Sequence, residues 1–213
     1  VFETTLSRDG DRLIVRGSGD PGLGDPELLK ETQIGVEDIL AAWVEAVRKS
    51  GGDAPKELVI DGQSIMFPVH GKNDFRNDWQ EGRVGHLHEG TDVFAEKLIP
   101  VLAIADGNVS WLRRKSQGNE GVSIEIGHGP RWQSRYFHLN NDSGSKVDDG
   151  KGQGIALHLK VGTRVRAGEI IGWVGDSGNA EKTKPHLHFE ILYYERPINP
   201  YKSLVEARRL PLN

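Results

Sequence analysis

From Val101 onward the apolar residues come in short stretches, and most of these stretches stop at a turn that carries glycine. Val101 to Ile104, Val122 to Ile126, Arg135 to Phe137, Ile170 to Val174 and Leu187 to Leu192 read as strands, and several alternate apolar with polar. Between them lie Asp106-Gly107, Gly127-His128-Gly129 and Asp176-Ser177-Gly178. Stretches this short bury an apolar face only by pairing side by side. The pattern therefore predicts a mainly β domain, an antiparallel sandwich or open barrel with a groove. The 27 glycines among 213 residues, spread without a repeat, suit many tight turns.

The first sixty residues have a different texture. Leu13-Ile14-Val15 predicts a short strand, and Asp25 followed by Pro26 resembles a helix N-cap with proline at the first helical position. Ile39, Leu40, Trp43, Val44 and Val47 recur at helical spacing until Gly51 and Gly52 stop the pattern. We divide the chain into a small α-containing appendage at 1–59 and a main domain at 60–213. Asn140 to Gly154 breaks the strand rhythm with Asn, Asp, Ser, Gly and Lys and offers little to bury. Loops of that length are commonly functional.

Composition removes several classes. A net charge of −4 argues against a broad basic field for nucleic acid. With no cysteine there is no disulfide, thiolate metal site or cysteine nucleophile. No apolar run reaches the roughly 20 residues of a membrane-spanning helix. Val1-Phe2-Glu3 opens the chain without the basic and apolar regions of a signal peptide.

The eight histidines are grouped. In Pro185-His186-Leu187-His188-Phe189-Glu190, a strand would place His186, His188 and Glu190 on one face and Leu187, Phe189 and Ile191 on the other. Such a strand holds two imidazoles rigidly against a packed core. Gly85-His86-Leu87-His88-Glu89-Gly90-Thr91-Asp92 supplies a second group, in which Gly90 and Thr91 disfavour a helix. A bend at Gly90 would instead bring His88 and Asp92 together. Two imidazoles and one carboxylate suit Zn²⁺ and leave a coordination position for water. Neither group is specific alone; together in a glycine-rich β context they point to a metal site.

His88-Glu89-Gly90-Thr91-Asp92 resembles the His-x-Gly-x-Asp motif of the LytM/lysostaphin-type peptidoglycan metalloendopeptidases, and His186-Leu187-His188 resembles their His-x-His motif. Phe67-Pro68-Val69, Tyr136-Phe137-His138-Leu139, Val165-Arg166-Ala167-Gly168 and Asn199-Pro200 extend the likeness over roughly Met66 to Tyr201. The resemblance implies one zinc per chain, held by His88, Asp92 and His188. It also implies that His186 and His138 act beside the metal, one as general base and the other toward the oxyanion or nucleophile. The implied substrate is a peptidoglycan peptide, in stem cross-links or bridges, and the implied site of action is outside the cytoplasm. Asn77, Asp78 and Arg83 precede the first motif and are expected to line the substrate cleft. His70, His128 and His158 match no motif and are expected on the surface or in loops. His86 is expected beside the site or on the surface.

The insertion after Leu139 predicts a wall or lid over the groove. Three other readings compete: a catalytically inactive cell-wall binding module, a carrier or phosphocarrier domain, and a closed structural zinc site. Complete ligands argue against the first, and the absence of a lysine at a carrier-type hairpin tip argues against the second. A closed site normally recruits four protein ligands.

Overall fold

The computed structural model describes residues 3–9, 12–18, 59–60 and 63–211. The helix expected between Val36 and Val47, and the cap at Asp25-Pro26, lie outside these residues. The chain divides into two compact units, Val1–Trp43 and Val44–Asn213. In the first, β1 (Glu3–Asp9) and β2 (Arg12–Ser18) form an antiparallel hairpin that contains the predicted Leu13-Ile14-Val15 strand.

The second unit is mainly antiparallel β. It begins with three minor pieces: β3 (Val59–Ile60), β4 (Gln63–Ser64) and the small hairpin of β5 (Gly82–Arg83) with β6 (His86–Leu87). There follow β7 (Thr91–Phe94), β8 (Pro100–Leu102), β9 (Gly107–Arg113), β10 (Val122–Gly127) and β11 (Trp132–Leu139). The last strands are β12 (Arg164–Val165), β13 (Ile170–Trp173), β14 (His186–Tyr193) and β15 (Arg196–Ile198), before a short helix α1 (Tyr201–Glu206).

The principal sheet has seven strands in the order β12-β9-β10-β11-β14-β15, with β7 also paired to β14. β14 is eight residues long and organises the rest. β11 covers one edge, and β7 followed by β15 shares the other. Its alternation is the one expected: Leu187, Phe189 and Ile191 are wholly buried in the core, which leaves the opposite face to His186, His188 and Glu190. A second ladder, β8 with β13, contributes Val101 and Ile171 to the same core cluster as Ile124, Tyr136 and Phe189. Burying each large aliphatic or aromatic side chain contributes about 1.5–3 kcal/mol. The histidine-bearing face thus rests on a strand whose other face carries three wholly buried side chains.

The 140–154 segment corrects an expectation. Its composition offers little to bury, yet Asn140, Asn141 and Asp142 are among the buried residues. Asp142 is the reason. Its Oδ1 accepts the backbone N–H groups of Asp149 and Gly150, and its Oδ2 receives Lys97 Nζ at 2.7 Å. Lys97 also meets Asp176 at 2.7 Å, so one buried ammonium ties the loop to the segment before β14.

Candidate metal centre

Strand register brings the two histidine groups together. In the β14–β7 ladder His188 lies directly opposite Asp92, and His186 opposite Phe94. Directly paired residues carry Cβ atoms roughly 4.5–5.5 Å apart, close enough for both side chains to share one ion. His88 arrives from a bend at Gly90, and its backbone is held by bonds to Glu81 and Gln80. Gly90 is required sterically: a Cβ there would lie 2.5 Å from the Phe189 carbonyl oxygen and 2.8 Å from His188 Nε2.

The result is a triangle of ligand atoms. His88 Nε2 and His188 Nδ1 are 2.9 Å apart, and each is 3.0 Å from Asp92 Oδ1. Outer partners fix which nitrogen faces inward. His88 Nδ1–H donates to the Asp78 carbonyl at 2.9 Å, and His188 Nε2–H donates to Glu190 at 3.1 Å. When neutral, each ring thus turns its bare nitrogen to the triangle. Arg83 donates to the remaining Asp92 oxygen at 2.8 Å. Glu190 is itself reached by Arg135, whose Nε binds Glu125 at 2.7 Å.

Three acceptors at such distances repel one another unless a proton or cation lies among them. Burial acts to push the His88 imidazole down, but its bonds to Asp78 and Asp92 outweigh this and raise it to about 9. Burial likewise opposes the ionised Asp92 carboxyl, which His188 and His88 nevertheless hold far below the usual range. The His188 imidazole is raised by Asp92 and Glu190 against its own burial. This is a site charged to attract a cation. A tetrahedral zinc site with bonds of roughly 2.0–2.1 Å sets its ligand atoms about 3.3 Å apart, close to the observed edges. Two imidazole nitrogens, one carboxylate oxygen and an open fourth corner fit zinc. Among the described residues no other group of three His, Cys, Asp or Glu side chains converges in this way.

Two further histidines flank the triangle. His186 Nδ1–H donates to the Lys184 carbonyl at 2.8 Å, which leaves Nε2 bare and 3.8 Å from Asp92 Oδ1. His138 reaches the same face by an irregularity. Alternation along β11 would turn it toward the core beside Tyr136. Instead its φ is +58° and the β10–β11 register shifts between Val122 and Ile124, so one extra residue bulges from β11. The ring then lies 5.0 Å from the His186 ring, with Nδ1–H donating to the Ser177 carbonyl at 2.9 Å. Burial, then the nearby His186 and His188, push His138 down to about 3. Burial lowers His186 too. Both shifts favour the neutral imidazole, and the bonds at Nδ1 leave each Nε2 as a hydrogen-bond acceptor.

The residues expected to line the cleft are placed differently from one another. Asn77 is exposed and accepts from Asn199 at 3.2 Å. Asp78 is 2% exposed and braces His88, while Arg83 braces Asp92. His86 is exposed near the hairpin tip, and His158 pairs at the surface with Glu169. His128 is a loop histidine that is buried, held by the Asp106 carbonyl and the Ser134 hydroxyl at 2.8 Å each. Glu190 is the residue the sequence analysis left without a role, although it shares the strand face of His186 and His188.

The profile of peptidase family M23 matches residues 86–200. The DD-carboxypeptidase/endopeptidase Mpg of Neisseria meningitidis is 36% identical over 114 residues, 54% of this chain and 22% of that protein. The glycyl-glycine endopeptidase ALE-1 of Staphylococcus capitis is 29% identical over 153 residues, 70% of this chain and 30% of its own length. The chain thus spans less than a third of either relative. A zinc-containing peptidase from Vibrio cholerae superimposes with a TM-score of 0.50 at 26% identity, over 73% of this chain and 41% of that one.

Proposed function

The chain belongs to peptidase family M23, and from that premise we propose that it is a zinc-dependent endopeptidase that hydrolyses peptide bonds in bacterial peptidoglycan. The observation that carries the reading is the convergence of His88, Asp92 and His188 on one point with two neutral histidines beside it. Relatives named as peptidoglycan or glycyl-glycine endopeptidases support the substrate class. Action on that substrate puts the protein outside the cytoplasm. No helix among the described residues is long and apolar enough to cross a membrane.

In this reading His88, Asp92 and His188 hold the zinc, one per chain. Bound there, zinc supplies a Lewis acid that polarises the scissile carbonyl and makes water a stronger acid. The protein's own groups handle the protons. His186 Nε2 takes the proton of the attacking water and returns it to the leaving amine. Its Nδ1–H is fixed on the Lys184 carbonyl, so the ring keeps one orientation through both transfers. His138, with Nδ1–H on the Ser177 carbonyl, presents Nε2 as an acceptor that takes a hydrogen bond from the attacking water and orients it. Glu190 and Arg83 keep the ligand side chains from rotating. Every ligand and both assisting histidines are in place, which favours an enzyme over a non-catalytic wall-binding module.

The test is metal content together with release of peptide fragments from purified peptidoglycan, for the wild type, His188→Ala and His186→Ala. We expect about one zinc per wild-type chain. We expect loss of zinc and of activity in His188→Ala. His186→Ala should keep its zinc and lose about 10²–10⁴ in rate. A zinc-loaded wild type that releases nothing would overturn the reading.

A further inference from the structure

Next to the metal centre lies a cavity of about 650 Å³ that the catalytic groups do not use. Its wall nearest the centre is Phe94 and Pro185. Phe94 stands two residues beyond Asp92 on β7, on the same side of the strand, and its ring is 5.3 Å from that of His186. Pro185 immediately precedes His186. The cavity therefore opens about 7 Å along the strand from the metal ligands, the length of two extended residues.

Its polar character is cationic. Lys72, Lys146 and Lys184 line it, are exposed, and make no ion pair among the described residues. Lys184 Nζ is instead held 4.9 Å above the Phe94 ring, at the boundary between cavity and centre. Lys97 also lines the space, but Asp142 and Asp176 already neutralise it. Asp74 and Glu96 are on the exposed part of the wall and pair with none of these lysines. Lys146 comes from the 140–154 loop, whose anchoring on Lys97 sets this wall.

We propose that this cavity is a subsite for a free carboxylate of the peptide substrate, about two residues from the bond that is cut. The proposal rests on the peptidase reading. Three unpaired ammonium groups around a partly apolar hollow complement a carboxylate carried on a short aliphatic segment. They would draw an acidic peptide into register with His186 and the metal ligands.

The experiment compares muropeptides from purified peptidoglycan in two forms, untreated and with their carboxylates converted to carboxamides by carbodiimide and ammonia. Binding is measured by titration calorimetry on the metal-loaded full chain carrying His186→Ala, so that turnover does not interfere. Release from whole peptidoglycan by the wild type is measured in parallel. Amidation should weaken binding about tenfold. That difference should vanish when Lys72→Gln, Lys146→Gln and Lys184→Gln are added together. All three side chains are exposed, and an unchanged melting temperature verifies the fold. Equal binding of the two forms, discrimination that survives the triple substitution, or no binding of either form would overturn the subsite. Carboxylate-dependent binding without wild-type release would uphold the subsite and count against the peptidase reading alone.

Discussion

Gly90 is where a single atom decides whether the metal site closes. An added Cβ would collide with the Phe189 carbonyl oxygen on the strand that carries His188, and with the His188 ring itself. Neither can retreat, because Phe189 is wholly buried and His188 is bonded to Glu190. Gly90→Ala should therefore displace the triangle by several tenths of an ångström or more. We expect hydrolysis to fall about 10²-fold or further, with weaker zinc retention, as measured by kinetics and metal content on the same preparation. His138 is a different kind of special residue. A left-handed conformation in a side chain of this size costs on the order of 1–3 kcal/mol, and the surrounding sheet sustains it. What the strain achieves is a fourth imidazole on a face that alternation would otherwise give to His188 and Phe137.

Among the elements, the 140–154 loop is best understood through its anchor. Lys97, Asp142 and Asp176 are nearly devoid of solvent contact, so removing the ammonium strands two buried carboxylates. Lys97→Met should destabilise the protein by about 3–5 kcal/mol. The pH dependence follows from the directions of the shifts. Burial acts to raise the Asp142 carboxyl, but Lys97 and the N–H groups of Gly150 and Asp149 bring it below its ordinary value. Its contribution is thus present above about pH 4 and lost as pH falls through the folded value. Burial opposes the Lys97 ammonium, which Asp142 and Asp176 raise, so that contribution is lost only as pH climbs through its folded value, above about 10. Thermal melts should show a constant gap between wild type and variant from about pH 5 to 9, closing in acid. None of this was legible in the sequence, since Lys97 and Asp142 are 45 residues apart and the loop reads as polar throughout. The strands were easier. Short apolar stretches marked β8, β10, β11, β13 and β14, three of them stopped by glycine, and alternation in His186 to Ile191 separated the core face from the histidine face. β9 carries a single buried side chain, Val109, so no apolar pattern marks it, and β5, β6 and β7 are too short for periodicity to speak. The inward turn of Asp78 and Arg83 is likewise a tertiary fact: each is set by the position of the ligand it braces.

At the scale of the molecule, the metal and the sheet are coupled. Zinc held, as proposed, by His88 before β7, Asp92 on β7 and His188 on β14 would bind the folded chain and not the unfolded one, so it would add about 4 kcal/mol at a thousandfold excess over its dissociation constant. Stripping the protein with a chelator should lower its melting temperature by on the order of 10 °C, and adding back zinc should restore it. An unchanged melting temperature would mean that the triangle does not take up the ion. The direct pairing of Asp92 with His188 has one more consequence, in time rather than energy. The two residues are 96 positions apart, and pairing over such a separation is among the slower events of folding. Until β7 docks on β14 the chain offers at most two of its three proposed ligands together, His88 with Asp92. A partly folded chain should therefore be a poor competitor for zinc, and uptake of the metal should report that β7 and β14 have paired.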